Sequence, residues 1–220
     1  MTGCNRWLML ILITSGAAIG PTRHCLADTF RPSIVAGIED LNRDGAPDGF
    51  YVDPGAIDYQ YYIEQVPSRE IRNIIEFDLS PYVGMTLTGA DLEFRIMSNN
   101  VYGAQFREYD LYLYEGNGQA DLADFSVTGV LLDTLSYHVA QGGLVVAHLD
   151  ILSHAQALLD GSILFLGIRT DPITEGDYGT TVGHYQEPHD NKLNIEAIPE
   201  PATLLLLGLG SLMLRKRRRK

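Results

Sequence analysis

The densest run of oxygen donors in the chain is Asp40-Leu41-Asn42-Arg43-Asp44-Gly45-Ala46-Pro47-Asp48. When such a loop curls, the alternating side chains converge on one point, and Gly45 permits the sharp turn. Calcium takes about six to eight oxygens, which Asp40, Asn42, Asp44, a backbone carbonyl and Asp48 largely supply. The twelfth position counted from Asp40 is Tyr51, which offers no bidentate carboxylate, so a further acid such as Asp53 has to complete the shell. The alternative is an Asp/Asn/Gly-rich surface turn that holds no ion.

Two other groupings could do chemistry. His184 and His189 lie near Glu187 and Asp190, but the imidazoles are five apart and Pro188 rules out a helix that would align them, so a solvated loop is the expectation. Tyr59, Tyr61, Tyr62, Tyr102, Tyr109, Tyr112 and Tyr114 could stack on sugar rings. Tyr112 and Tyr114 share one face of a strand and could form a flat aromatic strip, although tyrosine is also simply common in strands. No Gly-x-Ser-x-Gly elbow, glycine-rich phosphate loop or His-Glu-x-x-His pair occurs, so no catalytic residue is assigned and the expectation is that the protein is not an enzyme.

The ends of the chain say where these residues work. Arg6 precedes an apolar run over residues 7–20, and Cys25-Leu26-Ala27 offers small residues at the positions that signal peptidase reads. Cleavage is expected after Ala27, making residues 1–27 a signal peptide. A permanent anchor would need a longer run, about 20 residues. At the other end, Pro199-Glu200-Pro201 precedes an apolar run over residues 202–214 and six consecutive cations, residues 215–220. At about 1.5 Å per residue the apolar run spans about 20 Å as a helix, less than a bilayer core of about 30 Å. The cations cannot cross and hold the last residues on the cytoplasmic side. This is a stop-transfer peg poorly suited to permanent anchoring, with a plain tail anchor as the alternative.

That terminal arrangement, IPEPATLLLLGLGSLMLRKRRRK, resembles the PEP-CTERM sorting signal. The resemblance implies recognition by an exosortase, a membrane-embedded cysteine transpeptidase-like enzyme, and cleavage near Pro199, Glu200 and Pro201. It also implies a Gram-negative host that makes exopolysaccharide. Residues 199–220 are therefore read as a sorting tail. The inner membrane is a transient partner of both ends.

Between the ends, residues 28–198 suit one domain with a sizeable core. They hold 8 basic against 27 acidic side chains, a formal charge of −19. Such a domain repels nucleic acid and anionic lipid, and suits cations or simple solubility. Cys4 and Cys25 both fall in the signal, so the domain forms no disulfide.

The hydrophobic pattern is mostly of period two. Ile75, Phe77 and Leu79, then Leu92, Phe94 and Ile96, then Tyr109, Leu111 and Leu113 each alternate with polar neighbours, as antiparallel strands do. Residues 162–168 are apolar on both faces and read as a buried central strand. Leu193 and Ile195 read as a short closing strand, and Asp171-Pro172 as a turn. Residues 150–161 break the period: Ile151, Ala155, Leu158 and Leu159 share a helical face, with Asp150 as N-cap and Gly161 as the stop. The expected fold is mainly β: an antiparallel, jelly-roll-like β-sandwich with one short helix, plus an N-terminal signal helix and a short C-terminal membrane helix.

Two further resemblances follow. RNIIEFDLS, GMTLTGADLEFRI and LDILSHAQALLDGSILFLGIRTD are similar to DNRLRE-type β-sandwich domains, which are related to carbohydrate-binding modules. Arg72, Phe77, Asp78 and Leu79 carry the opening motif, Gly89 to Leu92 the next strand, and Ala155 to Gly161 the helix. The loop at residues 40–48 resembles the D-x-[DN]-x-D-G-x-x-D loops of dockerin and thrombospondin-type repeats. Together the readings point to an exported, exosortase-sorted protein of the cell surface or exopolysaccharide matrix with a non-catalytic sandwich. A carbohydrate-binding module is the alternative, and a polysaccharide hydrolase or lyase a more distant one.

Overall fold

The computed structural model describes residues 26–51, 62–98, 106–138, 144–173, 177–182 and 191–199. The expected signal and membrane helices, His184 and His189, and Tyr59, Tyr61 and Tyr102 lie outside them. Twelve strands form: β1 Leu26–Phe30, β2 Ile34–Asp40, β3 Gly49–Phe50, β4 Tyr62–Val66, β5 Arg69–Asp78, β6 Met85–Ser98, β7 Phe106–Gly116, β8 Val130–His138, β9 Leu144–Asp150, β10 Phe165–Pro172, β11 Asp177–Val182 and β12 Lys192–Pro199. Among the described residues one α-helix, α1 Leu152–Asp160, interrupts them.

The pairings sort the strands into two antiparallel layers. One holds β1, β12, β6 and β9 in that order; the other holds β3, β2, β5, β10, β7 and β8. β4 and β11 pair with each other and join β5 to β6, so hydrogen bonding continues from one layer to the other. The chain crosses between layers from β5 to β6, from β8 to β9 and from β9 through α1 to β10. This is the β-sandwich the alternation predicts.

The interior is built from the expected triplets. Ile75, Phe77, Leu92, Phe94, Tyr109 and Leu111 are buried together with Leu166 and Ile168 of β10, and with Leu193, Ile195 and Ala197 of β12. Each such Ile, Leu or Phe side chain contributes about 1.5–3 kcal/mol on leaving water. β10 lies between β5 and β7 as a central strand, with Leu166 and Ile168 in the main core and Gly167 and Arg169 on the outer face, so only one of its faces is apolar. Its start is Phe165 rather than residue 162, and it runs on through Asp171-Pro172, where a turn was expected. Proline is tolerated there because it ends the strand. α1 buries Ile151, Ala155 and Leu158 as read, and Leu159 is partly covered. Ile151 is the N-cap residue, while the Asp150 carboxylate still accepts the Leu152 N–H at 3.0 Å.

A smaller second core forms on the outer face of the six-stranded layer. Ile38, Ile74, Tyr114 and Phe125 cluster there under the segment that joins β7 to β8. Arg72 stacks 4.1 Å from the Phe125 ring centre and donates to the Phe125 carbonyl. Arg169 donates to the Val127 carbonyl and is held by Asp171. Two buried or half-buried guanidiniums thus strap the segment to the sheet.

Gly167 makes this second core possible. A Cβ at that position would stand 2.2 Å from the Tyr114 ring. Gly167→Ala is therefore expected to displace Tyr114 and cost about 1–3 kcal/mol or more of stability, read as a lower urea midpoint at unchanged slope.

Candidate functional site

Three places could carry function: the end of the sandwich where both chain ends leave, the acidic loop after β2, and the tyrosine-bearing outer face.

β12 is the structural half of the C-terminal motif. It pairs with β6 from Lys192 through Pro199, so Pro199 stands opposite Met85 and only Glu200 and Pro201 of the expected motif lie outside the described residues. On its other edge β12 pairs with β1, with Leu26 opposite Ala197. The N-terminal and C-terminal ends of the domain therefore emerge side by side. The expected cut after Ala27 falls inside β1. The residues beyond it carry the strand's anchors: Thr29 Oγ1 donates to Asn194 at 2.6 Å, and Phe30 stacks on Tyr82 at 5.8 Å and meets Phe77 edge-on at 6.2 Å. Tyr82 donates to Asp28, and burial together with that carboxylate pushes its hydroxyl up to about 12.

The acidic loop is curled and internally bonded. Asp40 is buried at the end of β2. Its Oδ1 accepts the N–H groups of Asn42 and Arg43, and its Oδ2 that of Gly45. Asn42 Oδ1 accepts the Asp44 N–H, Asp44 Oδ1 the Ala46 N–H, and Asp48 Oδ2 the Leu41 N–H. Gly45 sits at φ 86 and Arg43 at φ 57, the left-handed conformations that let the chain close on Asp40. Burial acts to raise the Asp40 carboxyl, but the surrounding N–H groups outweigh it and hold the group below its usual range. The four residues named from the sequence thus lie on one curled loop, each accepting backbone N–H groups of that loop. Among the described residues, no three His, Cys, Asp or Glu side chains converge at metal distance. The oxygens left over for an ion include Asp44 Oδ2 and Asp48 Oδ1, while both Asp40 oxygens are already shared with N–H groups.

The tyrosine strip is corrected by burial. Tyr112 and Tyr114 do share a face, but the β7–β8 segment covers it. Tyr114 is 2 % exposed, and its hydroxyl donates to Glu76 at 3.2 Å. It cannot stack on a sugar. Tyr112 is half-buried, with the Arg169 guanidinium 4.8 Å from its ring centre and its hydroxyl on Asp110 at 3.3 Å. Tyr109 is in the main core.

Sequence reasoning missed what holds Tyr114 in place. Glu76 alternates with Ile75 and Phe77 and reads as a solvent-facing residue, yet it is fully buried. It accepts the Asn117 and Gly118 N–H groups at 3.3 and 2.8 Å as well as the tyrosine hydroxyl. Nearby, Asp121 and Asp124 cap a short 3-10 helix, Leu122–Phe125, by exchanging backbone N–H bonds, a reciprocal pattern that their three-residue spacing could have revealed. Burial raises the Glu76 carboxyl despite those donors. Burial, with repulsion from Asp121 and Glu76, pushes Asp124 up to about 6.

A raised carboxyl holds its proton more tightly in the folded state than in the unfolded chain, where Asp124 titrates near 3.8. Its contribution to stability is therefore complete at acid pH and is lost as pH rises from about 4 to about 6. Asp124→Asn keeps an oxygen for the Asp121 N–H but cannot ionise. Urea titrations of the variant should lack this fall and show a gain on the order of 1 kcal/mol over wild type at pH 7.

Comparison with curated proteins finds no match to this chain. Residues 197–220 match the PEP-CTERM protein-sorting motif, so the motif begins inside β12 and continues through the apolar run and the terminal cations. The chain thus carries the sorting tail of an exported protein that reaches the cell surface through a membrane-anchored stage and an exosortase.

Proposed function

We propose that the protein is a non-catalytic component of the cell surface or extracellular matrix, delivered by exosortase and held among the host's exopolysaccharide. The observation that carries this reading is the direct join between sandwich and sorting tail: β12 ends at Pro199, inside the matched motif. The sandwich is then the delivered cargo. Its many carboxylates support a structural role, because several are already committed to the fold. Glu76 fastens the β7–β8 segment, Asp171 receives Arg169, and Glu64 receives Arg69.

Signal peptidase removes residues 1–27 in this reading, and exosortase cuts near Pro199, Glu200 and Pro201. Intact-mass measurement of the protein recovered outside the cell should give a chain that lacks residues 215–220; a chain that retains them overturns the cleavage step.

The sandwich is expected to be retained on a column of the host's own exopolysaccharide. Flow-through without retention argues against a matrix role. Release of new reducing ends or unsaturated sugars from that column would instead establish a hydrolase or lyase.

Calcium stiffens the loop at residues 40–48 in this proposal. The support is its closed form, in which Asp40 is kept ionised and Asp44 and Asp48 each retain one carboxylate oxygen beyond the internal bonds. Calorimetry on the sandwich should register calcium binding that Asp44→Ala weakens at least about tenfold, a loss of about 1.4 kcal/mol. No calcium heat in the wild type ends the idea.

A further inference from the structure

The last strand residues and the turn at the end of the sandwich that bears both chain termini are uncharged, although the domain carries a formal −19 and Asp28, Asp160 and Glu196 stand directly behind them. At Pro199 the partner is Met85, at Ile198 it is Thr86, at Ala197 it is Leu87, and Leu26 lies beyond Ala197 on the far side. The turn that leads into β6 is Tyr82-Val83-Gly84. None of these residues is charged. Val83 is 59 % exposed and Leu26 43 % exposed, and Pro199 is exposed beside them.

Chain length fixes what stands opposite this end. The apolar run of the tail begins at residue 202, three peptide steps after Pro199. Three steps reach at most about 11 Å. The sandwich therefore cannot stand clear of the membrane while the tail is intact. Until signal peptidase cuts after Ala27, the apolar run that ends at residue 20 is a second tether to the same end, because Leu26 pairs beside Ala197.

We propose that this end, Val83, Met85 and Pro199, joined by Leu26 until signal peptidase cuts after Ala27, is a membrane-contact face that rests on the outer surface of the lipid bilayer until the tail is cut. The proposal rests on the sorting reading, since it needs the tail in the membrane. Apolar side chains here lose exposed area against the interfacial region. Cutting the tail removes the tether, and two exposed aliphatic side chains do not hold a domain of charge −19 on a bilayer alone. Contact and release are thereby tied to one peptide bond.

The test uses the full-length chain reconstituted into phosphatidylcholine vesicles, with and without brominated acyl chains. Trp7, the sole tryptophan, is replaced by Phe, and a single reporter is placed as Val83→Trp. A control chain carries Leu41→Trp instead. Leu41 is 52 % exposed and follows Asp40, which pairs with Glu70 at the other end of β5 from Asp78, about 27 Å away along the strand. The expected result is that the chain floats with the vesicles, brominated lipid quenches most of the emission from position 83, and position 41 is unaffected. A chain that floats while both positions are unquenched, or equally quenched, overturns the contact face and leaves the sorting reading standing. A chain that does not float overturns the tether and the contact face together.

Discussion

β12 lies between β1 and β6 and hydrogen-bonds to both, and the rest of the molecule depends on that pairing. Without it the inner edge of β6 from Met85 to Glu93 would be open, and β1 would have no partner among the described strands. Leu193, Ile195 and Ala197 would also leave the main core, where they close over Leu92 and its neighbours. A strand that sits next to the sorting tail is thus one of the strands that completes the sandwich. The same pairing brings the two ends of the chain to one place, because β1 and β12 are antiparallel and in register from Leu26 to Phe30.

The outer face of the six-stranded layer follows a different principle. Its core of Ile38, Ile74, Tyr114 and Phe125 is small, and polar contacts seal it. Glu76 gathers three donors beneath the β7–β8 segment, and Arg72 and Arg169 grip that segment's carbonyls from the same face of the sheet. A buried carboxylate costs desolvation energy, which these donors offset only in part, as its raised pKa shows. The arrangement fixes where the segment lies more than it strengthens the domain.

Much of the sandwich was legible in the sequence because burial on one face imposes period two. The triplets at Ile75, Leu92 and Tyr109 each sit where the alternation puts them, and Gly161 stops the helix. The curled loop was legible too, since Asp40, Asn42 and Asp44 reveal their turns by type and spacing. Glu76 and Tyr114 were not. Alternation separates two faces but does not say whether a distant segment covers the outer one, and that cover comes from residues some 40 positions away. The place of Pro172 was hidden for a similar reason: a proline reads as a turn unless the strands on either side of it are known. Order and charge alone read the tail as a stop-transfer peg and its likeness to the PEP-CTERM signal supplied the sorting role, whereas the continuation of β12 into its first proline was not legible, because Ile198 and Pro199 look like a linker until Met85 is set opposite them.

The pairing of β1 with β12 joins residues 165 positions apart, as at Thr29 and Asn194. Contacts of such long range form late, because the chain entropy lost in closing the loop is repaid only once both partners are present. In export led by the N-terminus, as the expected signal peptide implies, the N-terminal strand emerges first and its partner nearly last. The sandwich can therefore close only when almost the whole chain is outside, and until then the edge of β6 remains a template for wrong pairing. Folding and passage through the membrane finish at nearly the same moment, so a chain stalled before residue 192 would arrive as an open, aggregation-prone sheet rather than as a smaller folded domain.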